Sequence, residues 1–235
     1  MDSALADLAQ AHVDGHSRAG PRVADAAAAP LKWDDAYCRR VAAYYDQGPL
    51  FDLDAALADR YRRFQRETWE HFQLVAEAGI EVRPWRGPGQ PYRTSAELRA
   101  AVRTTGVLYV YLTSAAHGPG TGRAGHPMAE PSGVVADGVR LCHNDIFRAV
   151  HDVFGHVLSG SGFSPRGEFR ASFCHLSMYS EPVHPVLFTE QIAQICWYFY
   201  GPHAARRRYP EQKVFAFPEA YVEEFRALFT LEKVT

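Results

Sequence analysis

From Pro185 to Tyr200 the chain is apolar on nearly every helical face. Phe188, Ile192, Ile195, Trp197 and Phe199 leave no side for water. A helix of this kind lies inside a domain, with other elements packed all round it. Glu190 interrupts the run in Leu187-Phe188-Thr189-Glu190-Gln191. A lone carboxylate in such surroundings must be paired or bound to something.

The rest of the chain supplies the covering elements. A helical pattern runs from Trp33 to about Gln47, and a longer one from about Asp52 to Ala78, stopped by Gly79. Ile80-Glu81-Val82 and Gly106–Thr113 read as strands, with a helix capped by Ser95 between them. Residues 114–139 form a long Gly-, Ala- and Pro-rich connection, of the kind that is usually functional. Helices are expected at about Asn144–Gly155, Gly167–Tyr179 and Pro185–Tyr200. A short strand at Lys213–Phe217 and a helix over Pro218–Leu228 follow. The fold class is therefore α+β, predominantly helical, with a few short strands and a metal site between helices. Residues 1–30 read as a loosely ordered leader with a short helix around Ala4–Ala11, and residues 31–235 as a single catalytic domain.

Composition narrows the function. A net charge of -2 gives nucleic-acid binding no electrostatic support. No apolar run is long enough to span a bilayer, and no signal segment is evident, so a cytoplasmic location is expected. The four cysteines, Cys38, Cys142, Cys174 and Cys196, are far apart and form no CxxC pair, so they read as reduced thiols.

The chemistry is concentrated in His151-Asp152-Val153-Phe154-Gly155-His156. Neutral imidazole is the commonest transition-metal ligand. On a regular helix, residues five apart lie roughly 140° apart around the axis and share no face. Glycine readily ends a helix. If the helix stops at Gly155, His156 swings back towards His151, which predicts a metal site at a helix terminus. A carboxylate would complete the 2-His-1-carboxylate set of non-haem Fe(II) oxygenases. Glu168 and Glu190 are the candidates. Glu190 is favoured by its apolar helix, because Glu168 opens a helix where a negative charge is favourable in any case.

His-Asp-Val-Phe-Gly-His resembles the His-Glu-x-x-Gly-His motif of the pterin-dependent aromatic amino acid hydroxylases. The resemblance covers about 50 residues, Asn144–Gln194. It implies His151 and His156 as iron ligands, and Glu190, in Phe-Thr-Glu, as the third. The resemblance implies a reduced pterin as a candidate cofactor; Asp152 departs from the family's glutamate close to the pterin, keeping the charge on a shorter side chain. The substrate-carboxylate arginine has only nearby counterparts, Arg140 and Arg148. The chain is also similar to a group of small bacterial and phage proteins through Phe147–Asp152, Gly167-Glu168 and Thr189-Glu190-Gln191; that group implies no activity.

Other residues fill supporting roles. His175 lies two turns after Glu168 on the same helix face and could support the histidines or hold a second metal. Asp152, Glu168 and His175 are the candidate catalytic groups. Arg148, Gln194 and Trp197 are the candidate substrate contacts. His126 and Arg123 could line a pocket mouth, and Arg206-Arg207-Arg208 reads as a solvated patch. The expected activity is an Fe(II)-dependent hydroxylation of a small substrate by O2, with an amino acid, aromatic ones included, as the candidate. The alternatives are a zinc hydrolase built on the same histidines and a non-enzymatic metal-stabilised module.

Overall fold

The structure, a computed structural model, describes residues 2–16, 20–115 and 125–231. Its composition, 61% helix against 10% strand, settles the class as predominantly helical α+β. None of the described helices is long and apolar enough to cross a membrane.

The helices begin where the sequence supplies caps. Asp34 accepts from the backbone of Ala36 and Tyr37 and starts α3 (Asp35–Gln47). Asp54 accepts from Leu57 and starts α4 (Ala55–Glu77). On α4 the buried positions Leu57, Tyr61, Phe64, Thr68, His71 and Val75 fall three or four apart, so one face enters the core. Burying each large apolar member of that face contributes about 2 kcal/mol. α5 (Ser95–Thr105) is capped by Thr94 rather than Ser95, and ends at Gly106, whose φ of 66° is left-handed. It connects the parallel strands β1 (Glu81–Pro84) and β2 (Val107–Val110).

The structure departs from the sequence reading in three places. The N-terminal residues pack: α1 (Asp2–Gly15) and α2 (Val23–Ala28) bury Leu5, Ala9, Val13 and Val23. Alanine-rich helices bury small side chains on one face, which polar composition around them obscures. The connection over residues 114–139 contains most of an antiparallel hairpin, β3 (Pro131–Ala136) and β4 (Val139–Cys142). Asp137 and Gly138 turn it with φ of 47° and 75°, the conformation Asp-Gly adopts in tight hairpins. Finally, Lys213–Phe217 is not a strand; Val214 makes only a single bridge to Phe51.

The remaining helices form the centre. α6 (His143–His151) is fixed at its start by Asp145, which accepts from Thr113 and from the Cys142 backbone. It runs into a π-helical segment, Asp152–Val157. After α7 (Pro165–Leu176) and α8 (His184–Leu187), a second π-helical segment, Phe188–Ile192, leads into α9 (Ala193–Tyr200). α10 (Glu219–Ala227) closes the fold. The stretch from Val186 to Ala193 is buried as its all-round apolarity requires, whereas Gln194, Ile195, Tyr198 and Phe199 beyond it are only half-buried because they line a cavity. α3 packs along α9, α4 along α6, and the first π segment along α7.

Candidate metal centre

His151 closes α6 and His156 lies in the π segment that continues it. The helix therefore does not end at Gly155. It widens, and the i→i+5 bonding of a π-helix stacks residues five apart on one face. The two imidazoles meet edge to face with centroids 4.8 Å apart. The chain leaves the helix at Gly160, with φ of 69°. Gly155 has a different role from the expected one. The His151 ring lies directly over it, and a Cβ there would come within 2.9 Å of Cε1 and Nδ1.

The carboxylate facing both histidines is Glu168. Its Oε2 is 3.5 Å from Nε2 of His151 and 3.4 Å from Nε2 of His156. These separations exceed an ordinary N–H···O hydrogen bond. They match the spacing of about 3.4 Å between ligands that share a metal at bonds of about 2.1 Å. Ser164 caps α7 by accepting from Gly167, and α7 presses on the preceding loop so closely that a Cβ on Gly167 would lie 2.1 Å from the Gly162 carbonyl. That contact delivers Glu168 to the histidines.

The surroundings prepare the imidazoles for binding. Nδ1 of His156 lies 3.2 Å from the Ser161 carbonyl, which fixes the proton there and leaves Nε2 as the free lone pair. Burial pushes the Glu168 carboxyl up, but the His156 and His151 rings outweigh burial and hold it at about 2. Burial likewise lowers the basicity of His156, yet Glu168 overcomes it and the net direction is upward. His151 moves the other way, because burial outweighs its partner. Burial pushes the Asp152 carboxyl up to about 7, against the pull of His156.

Glu190, the favoured ligand from sequence, is elsewhere on the same cavity wall. Tyr61 donates to its Oε1 at 2.5 Å, and Nε2 of His126 is 3.6 Å away. The Met128 backbone donates to Nδ1 of His126, so the imidazole proton is on Nε2, facing Glu190. Burial raises the Glu190 carboxyl, with His126 and Tyr61 opposing. The buried carboxylate thus has partners of its own. The neighbouring Gln191 is the residue that reaches the histidines: its carboxamide nitrogen is 2.7 and 2.8 Å from the two ring nitrogens of His151. Its Oε1 is buried without a hydrogen-bond partner among the described residues.

The cluster opens into a cavity of about 810 Å³. Arg148, Asp152, Gln194, Tyr198 and Phe199 help to line it. Arg148 donates to the Tyr111 carbonyl at 2.8 Å and has no carboxylate within ion-pair distance among the described residues. Burial lowers its basicity, although Asp145 and Asp152 oppose this. Gln194 exchanges amide hydrogen bonds with Gln212. Arg207, read as part of a solvated patch, reaches the cavity and lies over Phe199 with 4.8 Å to the ring centroid.

Four expected site residues, Trp197, His175, Arg140 and His126, do not line the cavity; His126 instead faces Glu190. Trp197 is on the opposite side of α9, where its indole donates to Asp46. His175 is fully buried behind the histidines, 5.6 Å from the His151 ring and stacked on Phe147. It touches neither the cavity nor a hydrogen-bond partner among the described residues, so it cannot reach substrate. Arg140 is exposed on β4. Arg123 lies outside the described residues.

The cysteines are free, with Cys38, Cys174 and Cys196 buried. Comparisons of the chain with family models, curated proteins and solved structures found no match.

Proposed function

We propose that this chain is a non-haem Fe(II)-dependent oxygenase that hydroxylates a small carboxylate-bearing substrate, with an amino acid as the leading candidate. One observation carries the reading. Glu168 stands 3.4–3.5 Å from Nε2 of both His151 and His156, at the wall of a cavity of about 810 Å³. Two imidazoles and one carboxylate on one side suit Fe(II) and leave positions for oxygen. Bound there, the metal would supply the redox chemistry that activates O2. In the net reaction one oxygen atom enters a C–H bond of the substrate and the other leaves as water, with two electrons from an organic reductant and two protons. A reduced pterin is the reductant that the motif resemblance implies.

The chain's own residues bind, orient and shield. Arg148 offers its unpaired donors to a substrate carboxylate. Tyr198 and Phe199, set edge to face with centroids 4.9 Å apart, give the cavity an aromatic side for a ring or chain. Phe163 lies edge-on to His156 at 4.9 Å and covers that side of the centre from water. Gln191 restrains the His151 ring. Asp152, with its carboxyl near 7, can hold or release a proton beside the centre. In this reading Glu168, which faces both histidines, takes the place that the hydroxylase motif implies for Glu190.

A zinc hydrolase on the same histidines has one observation in its favour, the Asp152 carboxyl pushed to about 7, a value suited to a general base. Anaerobic loading with Fe(II), followed by oxygen uptake with amino acids and a reduced pterin, separates the readings. The oxygenase reading expects a retained ferrous ion and substrate-stimulated uptake. A chain that retains Zn(II), fails to retain Fe(II), and consumes no oxygen would overturn it.

A further inference from the structure

A second group of metal-binding side chains lies at the N-terminal end of the fold. His12 is on α1 and His16 follows one turn later. The backbone N–H of His16 still donates to the His12 carbonyl at 3.2 Å, so the helical turn continues and the two rings lie side by side, tilted by 40° with centroids 4.2 Å apart. Glu70 faces them from α4. One ligand atom from each of His12, His16 and Glu70 lies within 4.8 Å of the others.

The donor geometry favours a cation. Histidines four apart lie about 40° from one another around a helix, the spacing used by zinc sites on a single helix. Nδ1 of His16 donates to the His12 carbonyl at 2.8 Å, which leaves Nε2 as the lone pair. That atom points at Glu70, 3.9 Å from Oε2. A bound ligating histidine has this arrangement, one nitrogen on a carbonyl and the other on the metal. The His12 ring is further steadied edge-on by the buried His71, at 5.0 Å. Arg66 stands 4.0 Å from the other oxygen of Glu70 and can keep the carboxylate oriented. The ligand atoms, within 4.8 Å of one another, would draw in to the spacing of about 3.4 Å that a tetrahedral ion requires, and His16 is exposed at the site.

We infer that His12, His16 and Glu70 form a second divalent-metal site, suited to Zn(II), that clips the end of α1 to α4. The site is outside the cavity and independent of the proposed oxygenase chemistry. An open coordination position would be filled by water, since three protein ligands are present.

The test counts Zn(II) bound to the full chain by equilibrium dialysis and atomic emission, beside His16→Ala and Glu70→Gln. The site predicts that His16→Ala holds one equivalent fewer than the unaltered chain. Glu70→Gln should weaken the same equivalent by more than the roughly 100-fold upper range of losing an outer partner. Because the result is a difference between chains, it stands whether or not the cavity histidines take up Zn(II). His16 is exposed, so its replacement should leave the far-ultraviolet circular dichroism unchanged. Zn(II) should also slow hydrogen exchange of the α1 amides in the unaltered chain and not in His16→Ala. Equal stoichiometry and affinity in the unaltered chain and His16→Ala, or equal slowing of α1 exchange, would overturn the inference.

Discussion

The imidazole of His151 rests on the backbone of Gly155, with Cε1 and Nδ1 only 2.9 Å from where a Cβ would stand. The π-helical turn brings His156 onto the face of His151, and the bare glycine leaves room for the ring. Ala171 closes the same space, 3.2 Å from that Cβ position.

Gly155→Ala should therefore weaken Fe(II) or Co(II) binding by about tenfold or more, although it removes no ligand. In an unconstrained helix interior the same change stabilises by about 1 kcal/mol. Here the melting temperature of the metal-free chain should fall or remain unchanged. Isothermal titration with Co(II) and a thermal melt provide both readings. Gly155→Leu should be more severe.

Glu168 and Glu190 should separate cleanly. Glu168→Gln keeps the shape and removes the ligand charge, and should reduce metal affinity beyond the roughly 100-fold range of outer-partner losses. Glu190→Gln should keep the metal stoichiometry. It disturbs the contact with Tyr61 and should affect turnover or stability. Metal content after desalting distinguishes the two variants.

These contrasts show how much the sequence made legible. The histidine pair and the buried start of the Pro185–Tyr200 helix are legible from residue type and spacing, and Gly155 is legible as a special position but not in its role: it makes room for the His151 ring instead of ending the helix. The π-helical turn was not, because its i→i+5 bonding leaves no compositional mark; a regular helix had to be assumed either to separate the histidines or to end. The nearness of Glu168 to the histidines is not legible for a physical reason. A carboxylate in the first helical turn has a sufficient local explanation, and the close approach of Gly167 to the Gly162 backbone, which brings Glu168 to the histidines, depends on tertiary packing. Gly167-Glu168 was the available signal. Asp137-Gly138 similarly marked a hairpin inside a stretch that looked like loop. The packing of α1 depends on small side chains whose burial is decided by their partners rather than by periodicity alone.

Metal affinity should depend on pH through His156. Glu168 raises its basicity above the ordinary value of 6.5, and a proton on Nε2 must leave before metal binds. Affinity should start to fall above pH 6.5 as the solution is acidified, approaching tenfold per pH unit for one displaced proton. Glu168, at about 2, does not compete in that range. Competition titrations from pH 5.5 to 8.5 would show the slope. An affinity independent of pH over this interval would contradict the proposed exchange of proton for metal.

His175 gives a stability prediction of opposite sign. Burial lowers its basicity well below 6.5, with His151 and His156 adding to the effect. A group with a lowered folded value contributes stability above 6.5 and loses it as pH falls from there. The loss amounts to about 1.4 kcal/mol per pH unit while the native ring stays neutral. His175→Phe, beside Phe147, should flatten that part of the profile. Denaturant midpoints of both chains between pH 5 and 7.5 check this; parallel profiles would refute it.

Arg148→Gln should raise KM for a carboxylate-bearing substrate by roughly 10- to 100-fold, the loss of a charge-assisted hydrogen bond of about 1.5–3 kcal/mol. Metal content should be unchanged, which separates substrate binding from damage to the centre. Steady-state oxygen uptake on the two chains gives the comparison.

The most direct measurement is the anomalous difference density at the iron edge in crystals grown anaerobically with Fe(II). The predicted result is a peak about 2.0–2.2 Å from Nε2 of His151, Nε2 of His156 and an oxygen of Glu168. A peak bound by Glu190 without Glu168, or no peak between the two histidines, would contradict it.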